Sequence, residues 1–395
     1  MANSNLSSAK KAKNDEFYTQ YPDIQKEIGA YLMYDPDTFK DKVVYCNCDD
    51  PFESNFFRYF TLNFKRLGLK RLITTSYKPS PIDETQLVLT GIIEQSEAPA
   101  RGRKKPQAKR FIINDVGDYD GDGAFNNCDI AQQLKANKNN EWKTLKGDKE
   151  YPAGDFRSSE CIELLKQSDI VVTNPPFSLF REYVAQLVEH DKKFAIIGNM
   201  NAITYKELFP LIKDNKLWIG ATNFNTGMYF YVPESFTYAH TYKFEREKEG
   251  KKVNRVPGVC WYSNLDHGRR HQPMSLMNMA DNRKFNKKII NSATAYKRYD
   301  NYEAIEVPFA DAIPSDYDGV MGVPISFLDK YSPEQFEIVW LAAGNSYANM
   351  PSELLEYVKF VPHVPGAEGA GQGVGVVNEK KVYARVLIKH RKATA

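Results

Sequence analysis

The stretch "SDIVVTNPPFSLF", residues 168–180, decides how the rest of the chain is read. Ile170 to Asn174 form a short apolar strand that runs straight into Asn174, Pro175, Pro176 and Phe177. Neither proline has an N–H to donate, so a β-ladder cannot continue through them. The strand therefore stops on an amide, two prolines and an aromatic ring. An Asn side-chain oxygen accepts hydrogen bonds, and so does a proline carbonyl. Two rigid acceptors close together suit an NH₂ group with two donors, and the Phe177 face suits a planar ring. The implied ligand is a flat heterocycle with an exocyclic amine, adenine or cytosine. A base in a duplex reaches such a pocket only when flipped out of the stack. Drawing both N–H bonds onto acceptors frees the amine lone pair for in-line attack on an electrophilic methyl, by positioning and electrostatics alone.

Outward from this stretch the pattern alternates. "KVVYCN" (42–47) reads as a strand, "SNFFRYFTLNFKRLG" (54–68) as a helix with a glycine C-cap, and "LKRLITTSY" (69–77) as the next strand. Beyond a loose region from 78 to about 153, with one strand candidate at 110–116, regular structure resumes. Helices are expected at 158–168, 178–191 and 204–215, and strands at 170–174, 192–199 and 216–222. Such alternation predicts an α/β fold with a mostly parallel sheet, whose ligands bind outside the carboxyl ends of the strands. Asn174 sits at such an end. "GMYFYVP" and "GVCWYSNL" are expected to close the same sheet. The domain reading is a disordered tail at 1–13, a catalytic domain at 14–267 with an insertion at about 78–153, and a smaller C-terminal recognition region at 268–395.

Composition excludes several classes. The 395 residues are 42% hydrophobic and 26% charged, ordinary for a soluble globular chain. No apolar run is long enough to span a bilayer and the first residues lack a secretory h-region, so a cytoplasmic protein without a membrane partner is expected. Five scattered cysteines predict reduced thiols rather than a disulfide framework or a zinc site. Net charge is only +3, but "RGRKKPQAKR" (101–110), "HGRRH" (267–271) and "RKFNKK" (283–288) contain no acid. Arg101, Arg103, Lys104, Lys105, Arg269 and Arg270 are the candidate DNA-phosphate or base contacts, against the plainer reading of solvated charged faces. "DYDGDGAFNNCD" (118–129) places Asp118, Asp120, Asp122 and Asp129 at calcium-loop positions 1, 3, 5 and 12. The position-12 Glu is replaced by Asp, and the alternative is an Asp/Gly turn capping a helix. Any calcium ion there would be structural.

Asn-Pro-Pro-Phe after an apolar strand resembles the catalytic motif of amino-methyltransferases that use S-adenosylmethionine. Colinear blocks extend the likeness: "KNDEFYTQY" (13–21), "VVYCNCDDP" with "SNFFRYF" (43–60), "GDFRSSECIELLKQSDIVVTNPPFSLFREY" (154–183), "NAITYKELFPLIKDNKLWIG" (201–220) and "YDGVMGVPISFLDKYSPEQFE" (317–337). Together they resemble the EcoRI-type adenine-specific DNA methyltransferases, the modification methylases. The resemblance implies a Rossmann-like S-adenosylmethionine-dependent methyltransferase sheet, and a site-specific enzyme that methylates the N6 amine of a flipped-out adenine in double-stranded DNA. It implies that Asn174, Pro175 and Phe177 hold the adenine and that Phe17, Tyr18 and Thr19 lie near the methionine end of the cofactor. It places Asn47, Asp49 and Asp50 in the first-strand cofactor loop, and gives Asp155 the acceptor role for the cofactor's adenine amine. The loop departs from the usual pattern, because Asn47 to Pro51 contains no glycine, and no ribose-holding acid is evident after "LITTSY". A monomer is expected, with a cognate restriction endonuclease sharing the site without a stable complex. The competing readings are methylation of RNA or of protein glutamine, and a catalytically inactive DNA-binding homologue.

Overall fold

The structure is a computed structural model and describes residues 18–48, 54–76, 108–118, 129, 137–222, 224, 226–231, 245–248, 251–344, 346, 350–357 and 373–391. The expected tail at 1–13 and the basic stretch 101–107 lie outside the described residues. Two compact units divide the chain: residues 1–199 with 225–265, and residues 200–224 with 266–395.

In chain order the described strands are Tyr18–Thr19 (β1), Val43–Cys46 (β2), Arg71–Thr75 (β3), Lys109–Ile113 (β4), Glu141–Thr144 (β5), Ile170–Thr173 (β6), Lys193–Asn199 (β7), Trp218–Ile219 (β8), Met228–Tyr231 (β9), Glu245–Lys248 (β10), Lys251–Val256 (β11), Val259–Ser263 (β12), Ala304–Glu306 (β13), Val320–Pro324 (β14), Phe336–Ala342 (β15), Val376–Val377 (β16), Lys380–Lys381 (β17) and Arg385–His390 (β18). The main sheet of the first unit runs β5-β4-β3-β2-β6-β7-β12. Its centre, β3-β2-β6-β7, is parallel. The flanking strands β4, β5 and β12 pair antiparallel. Strand β12, from "GVCWYSNL", closes this sheet as expected. "GMYFYVP" does not: it forms β9 in a separate antiparallel sheet, ordered β1-β9-β11-β10.

The two innermost strands, β2 and β6, are buried along their whole length, as parallel strands covered on both faces must be. Val44, Cys46, Ile170, Val172, Ala195, Ile197 and Trp261 contribute alternate residues to one cluster. Helices Tyr21–Tyr34 (α1) and Asn55–Leu62 (α2) complete it with Ile24, Ile28, Tyr31, Phe56, Phe57 and Phe60. Each buried Phe contributes about 2 kcal/mol. Helix α2 starts where Ser54 Oγ accepts from the Phe56 and Phe57 amides at 3.1 and 3.4 Å.

The helix expected at 204–215 is only Phe209–Lys213, because Pro210 has no N–H and fits only the first turn. The strand expected at 216–222 is only β8. Both lie in the second unit, whose own sheet runs β13-β14-β18-β15. Within it Glu306 of β13, fully buried, accepts from Arg385 Nη2 at 2.7 Å and Nε at 3.0 Å, and from the Tyr299 hydroxyl. Among the described residues no helix is long and apolar enough to cross a membrane.

Candidate active site

The site is built where the strand order reverses. Chain order takes β3 to one side of β2 and β6 to the other, so a crevice opens at the carboxyl ends of β2 and β6. Register sets those ends level: Cys46 lies beside Thr74, and Tyr45 beside Val171. At the other end, Asp169 Oδ2 accepts the Val43 amide at 2.7 Å and fixes β2 against β6.

Asn47 joins the three strand ends. Its carbonyl accepts from the Thr173 hydroxyl, and its Oδ1 accepts from Thr75 Oγ1 at 2.9 Å and from the Cys48 amide at 2.8 Å. Tyr45 Oη meets Thr75 Oγ1 at 3.1 Å, and burial pushes the Tyr45 hydroxyl pKa up. Asn47 is 1% exposed. Cys48 follows with φ 64°, a left-handed conformation that glycine usually supplies. The loop thus makes its sharp turn without the glycine that the sequence lacks, held by the Asn47 side chain.

Asn174 leaves the end of β6 half-buried, with its side-chain oxygen inaccessible to solvent. Pro175 is buried, and Pro176 is extended at φ −56° and ψ 120°. The Pro176 carbonyl accepts the Leu179 amide at 3.0 Å, which starts the turn Phe177–Leu179. The Pro175 carbonyl has no donor among the described residues. Phe177 is partly buried against the core cluster. The following helix, Phe180–Glu189 (α3), seats Phe180 on β7 at Gly198, where an added Cβ would come within 2.5 Å of the ring.

Asp155 is 1% exposed and chelated by Arg157. Its Oδ1 accepts from the Arg157 amide at 2.9 Å and Nε at 3.0 Å, and its Oδ2 accepts from Nη2 at 2.9 Å. Arg157 Nη1 reaches Glu182 at 2.9 Å, and its guanidinium lies 4.6 Å from the Tyr151 ring centre. The hydrogen bonds it donates to Asp155 hold the guanidinium pKa above its ordinary value. Three of the carboxylate's roughly four acceptor sites are taken, which leaves one on Oδ2.

Of the remaining expected cofactor residues, Phe17, Asp49 and Asp50 lie outside the described residues, and Tyr18 is described by its backbone. Thr19 is buried in β1, with its carbonyl accepting from Asn55 Nδ2 at 2.7 Å at the start of α2. Its hydroxyl is buried with no hydrogen-bond partner among the described residues. Sequence reasoning missed Asn55 and Arg157. Asn55 carried no signal beyond its place after the capping serine, whereas Arg157 stands two residues from a flagged acid.

Arg269 and Arg270, read from sequence as displayed cations, are engaged inside the second unit. Arg269 donates to the Ala221 carbonyl at 3.0 Å and to Asp329 at 2.6 Å. Arg270 is 6% exposed, bonds Asp266 at 2.8 Å and Asn215 Oδ1, and stacks 3.6 Å from the Trp218 ring centre. Arg101, Arg103, Lys104 and Lys105 lie outside the described residues, as do Asp120 and Asp122 of the calcium reading. Asp118 and the buried Asp129 are described, and among the described residues no group of three or more His, Cys, Asp or Glu is placed to hold a metal ion.

A family model described as "Adenine-specific methyltransferase EcoRI" matches residues 5–391. The chain is 42% identical over 345 residues to the Type II methyltransferase M.EcoRI of Escherichia coli, covering 86% of this chain and 89% of that one. It is 35% identical over 385 residues to the Type II methyltransferase M.MpnI of Mycoplasma pneumoniae, covering 97% of each. The Type II methyltransferase M.MgeORF184P of Mycoplasma genitalium is 34% identical over 389 residues, covering 96% of this chain and 97% of that one. No solved structure matches the chain.

Proposed function

The chain belongs to the adenine-specific EcoRI methyltransferase family, and from that premise we propose that it transfers a methyl group from S-adenosylmethionine to the N6 amine of an adenine flipped out of duplex DNA. The observation that carries the chemistry is the pair of acceptors at the end of β6. Asn174 Oδ1 and the Pro175 carbonyl sit on a backbone stiffened by two prolines and by the bond between Leu179 and Pro176. They accept the two N–H bonds of the exocyclic amine and direct its lone pair away from the ring. Phe177 backs the base, held in place by the core beneath it. An amide is an acceptor and not a base, so the activation is orientation and electrostatics, and no titrating nucleophile is involved.

The cofactor crevice fits the residues that line it. Thr19 Oγ1 is a buried polar group with no partner among the described residues, Asn47 is an amide at the end of β2, and Asp155 Oδ2 keeps one acceptor site for an adenine amine. When bound, S-adenosylmethionine supplies the electrophilic methyl. Thr19, Asn47 and Asp155 would hold it, with Asp49 and Asp50 as further candidates for its ammonium group. Asn55 and Arg157 position Thr19 and Asp155 respectively.

The test uses unmethylated duplex DNA incubated with the purified protein and S-adenosylmethionine, then digested to nucleosides for mass spectrometry. N6-methyladenine is the expected product. Methylated cytosine, or no methylated nucleoside while the cofactor still binds, would overturn the assignment.

A further inference from the structure

The second unit contains a cavity of about 740 Å³ that the chemistry at Asn174 does not use. Its walls carry the rings of Tyr205, Phe209, Trp340 and Tyr383, and its edge carries Lys206 and Lys381. Among the described residues that line it, none is acidic. Phe209 and Trp340 meet edge to face, with centroids 5.9 Å apart. Trp340 Nε1 is spent on the Ser346 carbonyl at 3.2 Å, so the indole presents carbon surface to the cavity. Tyr383 is 71% exposed, an unusual position for a ring with no role in the core. Lys206 has the neighbouring Glu207 at 4.0 Å, with its own side chain 68% exposed.

One wall is tied down by a run of hydrogen bonds. Asn301 Nδ2 donates to the Val374 carbonyl at 2.8 Å, and Asn301 Oδ1 accepts the Val376 amide at 2.9 Å. Tyr302 Oη donates to the Gly373 carbonyl at 2.7 Å, and the Gly373 amide reaches the Gly344 carbonyl at 2.7 Å. Gly375 lies so close to Tyr299 that an added Cβ would stand 2.5 Å from its ring. The wall continues into the β16–β17 hairpin, whose turn residues Asn378 and Glu379 have φ 50° and 61°, the signature of a type I′ turn. Asp300 Oδ2 accepts the Glu379 amide at 2.8 Å and pins that turn. The hairpin holds Lys380 and Lys381 exposed at the mouth.

Aromatic walls, a cationic edge and no carboxylate suit a flat ring joined to an anion. The volume lies in the range of small-molecule sites. We infer that this cavity is a nucleotide-binding site that holds an unstacked base of the DNA substrate other than the methylated adenine, with Tyr383 stacking on it and Lys206 and Lys381 on its phosphates. The inference rests on the DNA-methyltransferase reading above. A free nucleotide has the same chemistry, and the experiment separates the two sources.

The full-length protein is titrated with a labelled duplex carrying its methylation site, by fluorescence anisotropy at several salt concentrations. Tyr383→Ala is expected to weaken duplex binding about tenfold, the loss of one base–aromatic stack. Lys206→Ala with Lys381→Ala is expected to lower the slope of log affinity against log salt by about 2. These side chains are exposed, so melting temperatures should match the wild type, and cofactor affinity should not change. Photocrosslinking with 5-iodouracil at successive positions is expected to yield an adduct on the peptide containing Trp340 or Tyr383. Unchanged duplex affinity and salt slope in both variants would overturn the inference, while wild-type methylation of the same duplex would leave the methyltransferase reading standing. Deoxyadenylate or thymidylate binding that is abolished by Tyr383→Ala, with duplex binding intact, would also overturn it and assign the cavity to a free nucleotide. A wild type that neither binds nor methylates duplex DNA would overturn both.

Discussion

Two polar clusters of similar sequence prominence have opposite relations to their surroundings. At the strand ends of the first unit, Thr75 and Thr173 both bond to Asn47, and Asn174 follows at the end of β6 with its side-chain oxygen buried. In the second unit, Asp266, His267, Arg270 and His271 close on themselves and on Asn215, Ile219 and Glu334. On the function proposed above, the first cluster spends its structural residues to hold the acceptors of Asn174 and Pro175 in place for a substrate. The second turns most of its polar groups inward, onto its own members and the fold around them. A short run of unusual residues is therefore a site only if some of its hydrogen-bonding capacity remains after the fold has taken its share.

The largest expected effect tests the unspent half of the comparison. Asn174→Ala removes the directed acceptor and should lower kcat by at least about 10³-fold, the scale seen when one preorganised polar group is removed from a reacting centre. Cofactor and duplex affinity should stay within a few-fold of wild type, and the melting temperature should not fall. Single-turnover methylation together with calorimetric cofactor titration measures all three. Near-normal turnover would dissolve the distinction between the clusters.

The next effect tests the spent half. Arg270→Ala breaks an ion pair whose arginine is 6% exposed, a bond to Asn215 and a cation–π contact with Trp218. The expected loss is about 3 kcal/mol, the low end for breaking a buried pair, because Asp266 is partly exposed and keeps His271. Urea denaturation reads it. At a concentration where the variant remains folded, the salt slope of DNA binding should match wild type. A slope lowered by about 1 would make Arg270 a phosphate contact after all.

What could be read from the chain follows from the same distinction. The strands of the parallel core were legible because each is a short apolar run bounded by turn residues, and Asn174 was legible because two prolines stop a buried strand. The second sheet was not, since β1 is two residues long and its pairing with β9 is fixed by contacts more than 200 residues away, Tyr18 with Tyr231. The loop after β2 looked incomplete without glycine, yet Cys48 takes the left-handed turn because Asn47 accepts its amide. Charge runs such as "HGRRH" announce cations but say nothing of burial, so the fate of Arg270 could not be seen. Asn55 and Arg157 act on residues already flagged, through bonds that no spacing rule encodes.

A pH series sharpens the contrast inside the second cluster itself. Burial lowers the His267 pKa to about 4, while hydrogen bonds to Asp266 and Glu334 outweigh burial and raise that of His271. For His267 the unfolded chain takes up a proton below about 6.5 and the folded chain does not, so its contribution is present above 6.5 and lost as pH falls toward 4. For His271 the contribution is complete below 6.5 and lost as pH rises through the folded value. His267 alone is expected to cost about 2 kcal/mol between pH 7 and pH 5. Urea denaturation at both pH values should show His267→Gln flattening the acid loss and His271→Gln steepening it. The same slope in all three proteins would mean that neither imidazole is held in the state assigned to it.

The smallest expected effect falls on the residues that hold the first cluster without touching substrate. Thr75→Val keeps the shape of a fully buried side chain but removes the hydroxyl that donates to Asn47 Oδ1 and meets Tyr45 Oη. The net loss should be about 1 kcal/mol of stability. Its functional signature differs from that of Asn174→Ala. Asn47 then holds the Cys48 turn with one fewer bond, so KM for the cofactor should rise a few-fold while kcat at saturation stays close to wild type. Thr75→Ser restores the donor and should restore KM. If Thr75→Val instead lowered kcat at saturating cofactor as strongly as Asn174→Ala, the strand-end hydroxyls would belong to the reacting centre, and the line drawn between holding and reacting residues would have to move to β3.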